Sequence, residues 1–172
     1  MTAISECDLP QAALLRKYVG PLAHVDCYTT EMAGIVSHPE YVEAFYTTAV
    51  FKLERAILSA ALSRPSTDAQ VADLAKGKIE SFAAWSVEAR APNQLLLCDM
   101  HGRTRSWLMA EPVAGGTATR LYFGSAVVPV INKQSGKATL GPVYRALLGF
   151  HKIYSRALLG AAVKRIKAGK GE

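Results

Sequence analysis

The sequence predicts an α+β fold in which a curved antiparallel sheet is covered by a long C-terminal amphipathic helix. Strand-like runs between Phe82 and Val130 are separated by short turn signals, Ala91-Pro92-Asn93, His101-Gly102 and Gly115-Gly116, and connections that short join antiparallel neighbours. From Pro142 onward, Val143, Leu147, Phe150, Tyr154, Leu158 and Ala161 recur at three- and four-residue steps opposite Arg145, Lys152 and Arg156, an apolar stripe broad enough to cover one face of a sheet. The 172 residues are 50% hydrophobic and 20% charged, the size and composition of one domain that buries its own core.

Each element follows from local signals. Residues 1–22 read as a lead-in, helical over Gln11 to Tyr18 and stopped by Gly20-Pro21. His24 to Met32 is rich in strand formers and ends at Gly34, which makes a first strand. Ser37 and Glu40 have capping-box spacing, and Val42, Phe45, Ala49, Leu53, Ile57 and Ala60 then lay out one face of a core helix ended by Arg64-Pro65. Thr67 and Gln70 repeat the box ahead of a short helix that runs through Val71 and Leu74 to a glycine stop at Gly77.

The periodicity then changes to strands at Phe82–Ala89, Gln94–Met100, Arg105–Glu111 and Thr119–Val130. Ile131 to Leu140 is polar and reads as a surface loop, Pro142 fits the first turn of the last helix, and residues 168–172 read as a flexible basic tail.

Charge and composition narrow the function classes. Of the net +6, Lys164, Arg165, Lys167 and Lys170 cluster at the end of the last helix, where cations suit the helix dipole. Without interleaved aromatic and basic residues, no nucleic-acid partner is expected. No apolar stretch reaches the roughly 20 residues of a membrane crossing, and the N-terminus lacks a basic-then-apolar leader, so a cytoplasmic protein is expected. Cys7, Cys27 and Cys98 are far apart with no ligand spacing and read as free thiols. Phosphate loops, metal-binding His-Glu helices and nucleophile elbows are absent, so neither cofactor nor metal is expected.

The order strand, two helices, antiparallel strands, long helix resembles the helix-grip architecture of the START-like and birch-pollen-allergen (SRPBCC) superfamily, although fewer strands are readable here than the full fold has. Phe45-Tyr46-Thr47-Thr48, Arg105-Ser106-Trp107-Leu108, and Gly141-Pro142-Val143-Tyr144 followed by Gly149-Phe150-His151 resemble an uncharacterised bacterial family similar to that superfamily and sometimes fused behind dehydrogenase-like domains. The resemblance covers roughly Asp26 to Ile166 and implies an apolar cavity between sheet and helix. It carries over no catalytic residue, and a shared fold does not supply a reaction.

Alternation places Arg105, Trp107, Met109 and Glu111 on one face of their strand and Ser106, Leu108 and Ala110 on the other, and either face can point inward. With the first face inward, Trp107 and Met109 line a ligand site together with Trp85, Phe123, Leu147, Phe150, Tyr154 and Leu158, and Arg105 and Glu111 stand at its ends. Tyr28 and Tyr122 add hydroxyls that need partners if buried. The expected function is binding of an apolar or amphipathic small molecule. One alternative is an enzyme, a cyclase, isomerase or hydrolase, using His151, Arg105 and Glu111 as candidate catalytic groups. The other is a structural or interaction protein with a solid core, its Ala- and Gly-bearing helices packing in a homodimer.

Overall fold

Alternating side chains and tight turns build an open antiparallel sheet. The computed structural model describes residues 3–21, 23–52, 66–113, 115–131, 138–139 and 142–171, with 130–131, 138–139 and 142–151 described through the backbone alone. The strands β1 (Ser5–Glu6), β2 (His24–Ala33), β3 (Ser81–Phe82), β4 (Trp85–Ala91), β5 (Gln94–Asp99), β6 (Thr104–Pro112) and β7 (Ala118–Val127) lie in the order β1-β2-β7-β6-β5-β4-β3, each antiparallel to its neighbours. Gly102, Gly115 and Gly116 turn the chain between strands with positive φ, as glycine readily allows. Helices α1 (His38–Tyr46) and α2 (Asp68–Ala75) lie in the crossover from β2 to the far edge at β3, and α3 (Pro142–Lys170) ends the chain.

Both capping boxes form. The Glu40 amide donates to Ser37 Oγ at 3.3 Å while the Ser37 amide donates to Glu40 Oε2 at 3.4 Å, and Thr67 and Gln70 exchange the same pair of bonds. The single core helix expected from Val42 onward is interrupted, however. Thr47 Oγ1 donates to the Glu43 carbonyl at 2.6 Å and Thr48 Oγ1 to the Phe45 carbonyl at 3.0 Å. Thr48 Oγ1 then accepts the Phe51 amide at 3.2 Å, capping a new helical turn at 49–52. Two adjacent threonines thus offer hydroxyl bonds to the helix's last carbonyls and to the next turn's amide, at the point where the helix breaks. The expected continuation through Leu53, Ile57 and Ala60 lies outside the described residues.

Three other boundaries differ from expectation. The strand read as Phe82–Ala89 is split into β3 and β4 by a turn at Ala83, whose φ is 52°. The last strand stops at Val127, and part of the expected loop forms a small hairpin, β8 (Val130–Ile131) paired with β9 (Ala138–Thr139). The final helix continues through Lys170, whose ammonium donates to the Ile35 carbonyl at 2.7 Å, so its basic end meets the β2–α1 connection.

Both faces of the sheet are buried. Tyr28, Met32, Leu95, Leu97, Leu108, Ala110, Leu121 and Phe123 pack in one cluster with α1, α2 and α3. Cys27, Leu96, Trp107, Met109, Tyr122 and Ala126 pack on the opposite face against Ala13 and Leu15 of the lead-in, which forms a 3₁₀ turn at Leu14–Tyr18. On α3 the buried stripe is Ser155, Leu158, Leu159, Ala162, Val163 and Ile166, with Tyr154 and Ala161 at its border. Each Leu or Ile so buried stabilises the fold by about 1.5–3 kcal/mol.

Candidate functional site

The helix-facing side of the sheet carries a row of polar residues inside its apolar core. Cross-strand register aligns Asp26 of β2, Ser125 of β7 and Ser106 of β6, all buried. Asp26 Oδ1 accepts the Ser125 hydroxyl at 2.6 Å and the Ser125 amide at 3.2 Å. Tyr46, from the last turn of α1, closes the row with a hydroxyl contact of 3.0 Å to Ser106 Oγ.

Two residues along, at the next position on the same face, Tyr28 sits opposite Phe123, which in turn faces Leu108. Tyr28 is 0% exposed and its hydroxyl has no hydrogen-bond partner among the described residues. Burial and then the Asp26 carboxylate push the phenol up to about 12, so at neutral pH it is a protonated donor. Ser155 of α3 is also 0% exposed, and its Oγ likewise has no partner among the described residues. The guanidinium of Arg156, the next residue, lies 5.7 Å from the Tyr28 ring centroid. A buried hydroxyl without a partner costs free energy, and two such groups on β2 and α3, the elements that meet here, are an arrangement able to receive a polar atom from a ligand.

Other expected site residues lie elsewhere. Arg105 projects from the opposite face of the sheet, where its Nε donates to Glu88 Oε2 at 2.8 Å and Tyr18 Oη at 2.9 Å and its guanidinium stacks 4.6 Å from the Tyr18 ring centroid. Lys17 and Tyr18 also bond Glu88. Burial raises the Glu88 pKa, but hydrogen bonds from Lys17, Tyr18 and Arg105 outweigh it and hold the carboxyl below its ordinary value. Glu111, at the other end of β6, accepts the Tyr122 hydroxyl at 2.7 Å and lies 3.8 Å from Arg120. Arg105 and Glu111 stand six residue steps apart along the strand, about 20 Å, and each is engaged with its own partners.

Trp107 and Met109 also pack on the lead-in side, so they do not lie between the sheet and α3. Trp85, Phe123, Tyr154 and Leu158 do belong to the helix-side cluster. Among the described residues, Trp85 Nε1 has no hydrogen-bond partner either. The side chains of Leu147, Phe150 and His151 lie outside the described residues. Among the described residues, no three His, Cys, Asp or Glu side chains are placed to hold a metal ion, and no helix is long and apolar enough to cross a membrane.

Sequence reasoning named Tyr28 but missed Ser155 and the Asp26–Ser125 pair. The available signal was a serine on the core side of an otherwise apolar helix stripe, and an aspartate within a strand-forming run. No family model, curated protein or solved structure matches the chain.

Proposed function

We propose that this protein binds an apolar or amphipathic small molecule between the sheet and α3, in the manner of a helix-grip domain. The observation that carries the reading is the pair of fully buried hydroxyls, Tyr28 Oη and Ser155 Oγ, that have no hydrogen-bond partner among the described residues and stand on the two elements that would hold the ligand. The neutral Tyr28 phenol donates, Ser155 can donate or accept, and Arg156 adds positive charge beside them, which suits a carbonyl or carboxylate head on an apolar body. The crossover helices between β2 and β3 and the long helix after the last large strand give the element order of the helix-grip architecture. Catalysis in the same space would draw on Asp26, Tyr28 and Ser155 rather than on Arg105 or Glu111, which lie on the other face.

Titration with anilinonaphthalene sulfonate, an apolar fluorophore with an anionic head, tests the proposal. Saturable fluorescence enhancement is expected, competed by a long-chain fatty acid. Tyr28→Phe with Ser155→Ala should weaken binding roughly tenfold, from net hydrogen-bond contributions of about 0.5–1.5 kcal/mol each. Absence of saturable uptake, or uptake indifferent to both substitutions, would refute it.

A further inference from the structure

Two cysteines that stand 20 residues apart meet at the edge of the sheet. The ladder Ser5↔Thr29, Glu6↔Tyr28 continues one step to set Cys7 opposite Cys27, whose carbonyl accepts the Cys7 amide at 3.0 Å. The two sulfurs are 3.4 Å apart, with the Cys7 thiol donating. Cα atoms of such a hydrogen-bonded antiparallel pair are about 5.5 Å apart, within the span that a disulfide bridges without moving the backbone. Cys27 is buried, whereas Cys7 is half-buried. Both border an open groove of about 800 Å³ that also touches Glu6, Asp8, Leu9 and Val25. A small oxidant therefore has a route to Cys7.

We propose that Cys7 and Cys27 are a reversible disulfide pair that latches β1 to β2, with Cys7 reacting first. The oxidant class is a low-molecular-weight disulfide. The Cys7 thiolate attacks one of its sulfurs, forming a mixed disulfide and expelling the first small thiolate. The Cys27 thiolate then attacks the Cys7 sulfur, closing the protein disulfide and expelling the second. Two protein thiols are oxidised, one small disulfide is reduced to two thiols, and the two protons lost by the cysteines pass to the expelled thiolates. Burial pushes both thiols up, Cys27 furthest, so closure is slow at neutral pH and accelerates as pH rises.

The latch has structural leverage because the chain at β1 also borders α3. Lys152 Nζ lies 3.4 Å from Glu6 Oε1, and Ile4 packs close beside Gly160. Fixing β1 thus fixes the strip of chain that touches the helix edge.

The test treats the full chain with oxidised glutathione at mildly alkaline pH, blocks remaining thiols by alkylation and maps tryptic peptides by mass spectrometry. A peptide ending at Arg16 linked to the peptide containing Cys27 is expected, with Cys98 alkylated. The oxidised protein should melt roughly 5–10 °C above the reduced one, from cross-linking a loop of this length. Cys7→Ser should abolish both the link and the shift, whereas Cys98→Ser should preserve both. Three alkylated thiols after oxidation, glutathione left attached to Cys7 without closure, a link through Cys98, or a bridged protein that melts no higher would each overturn the proposal.

Discussion

The side-chain oxygen of Gln94 accepts the indole N–H of Trp107 at 2.9 Å and, from the lead-in, the Leu14 amide at 2.9 Å. The Gln94 amide nitrogen completes the junction by donating to the Ala12 carbonyl at 3.0 Å. One buried glutamine therefore satisfies an indole, a backbone amide and a backbone carbonyl at once, and it fastens the N-terminal segment over the second face of the sheet. Without that cover, Leu96, Trp107 and Met109 would meet water.

Gln94→Ala should accordingly cost about 2–4 kcal/mol, since each buried group left unpaired costs about 1–3 kcal/mol and water entering the gap recovers part. Urea denaturation measures the change. A loss below about 1 kcal/mol would mean that the lead-in is held by apolar contact alone.

Gly124 tests how closely the lead-in approaches. A Cβ at this position would lie 2.9 Å from Leu15 Cδ2, 2.9 Å from Trp107 Cε3 and 3.0 Å from the Asp26 carbonyl. Alanine gains strand propensity over glycine, but the carbonyl cannot move without disturbing β2. Gly124→Ala should therefore destabilise by about 1–3 kcal/mol, read from thermal or chemical unfolding.

Local signals made the helix starts and most strands legible. Ser37 with Glu40 and Thr67 with Gln70 are each only three residues apart, and the antiparallel turns leave their mark in adjacent glycines. The second buried face was not foreseen, because its contacts join distant segments, Leu14 to Gln94 and Tyr18 to Glu88. Leu95-Leu96-Leu97 did carry the clue, since an unbroken apolar run marks a strand covered on both sides. Burial on both faces also explains why Trp107 and Phe123, both apolar and both in strands, serve different cores.

A pH dependence follows from His38 at the start of α1. Burial pushes its imidazole down to about 4, Arg90 acts in the same direction, and a bond with the Leu108 backbone opposes them. The unfolded chain protonates this group near pH 6.5, so between about pH 6.5 and 4 the unfolded state holds more protons and acidification favours it. Stability should be full above that window and fall by about 1–3 kcal/mol across it. His38→Gln, which cannot titrate, should flatten the slope in urea titrations between pH 7 and 4; an unchanged slope would show that other groups govern it.

Tyr28 and Ser155 should separate stability from binding. With no partner among the described residues, each hydroxyl burdens the unliganded fold, and removing it leaves the surrounding packing nearly intact. Tyr28→Phe and Ser155→Ala should each leave the free protein unchanged or raise its stability by up to about 1 kcal/mol. The same substitutions should weaken uptake of anilinonaphthalene sulfonate and lower the thermal stabilisation that a saturating fatty acid confers. Opposite signs in the two measurements are what a ligand site built from unsatisfied groups requires. If both substitutions destabilise the free protein by about 2 kcal/mol or more, the hydroxyls are partnered in solution and the polar contact assigned to them here is wrong.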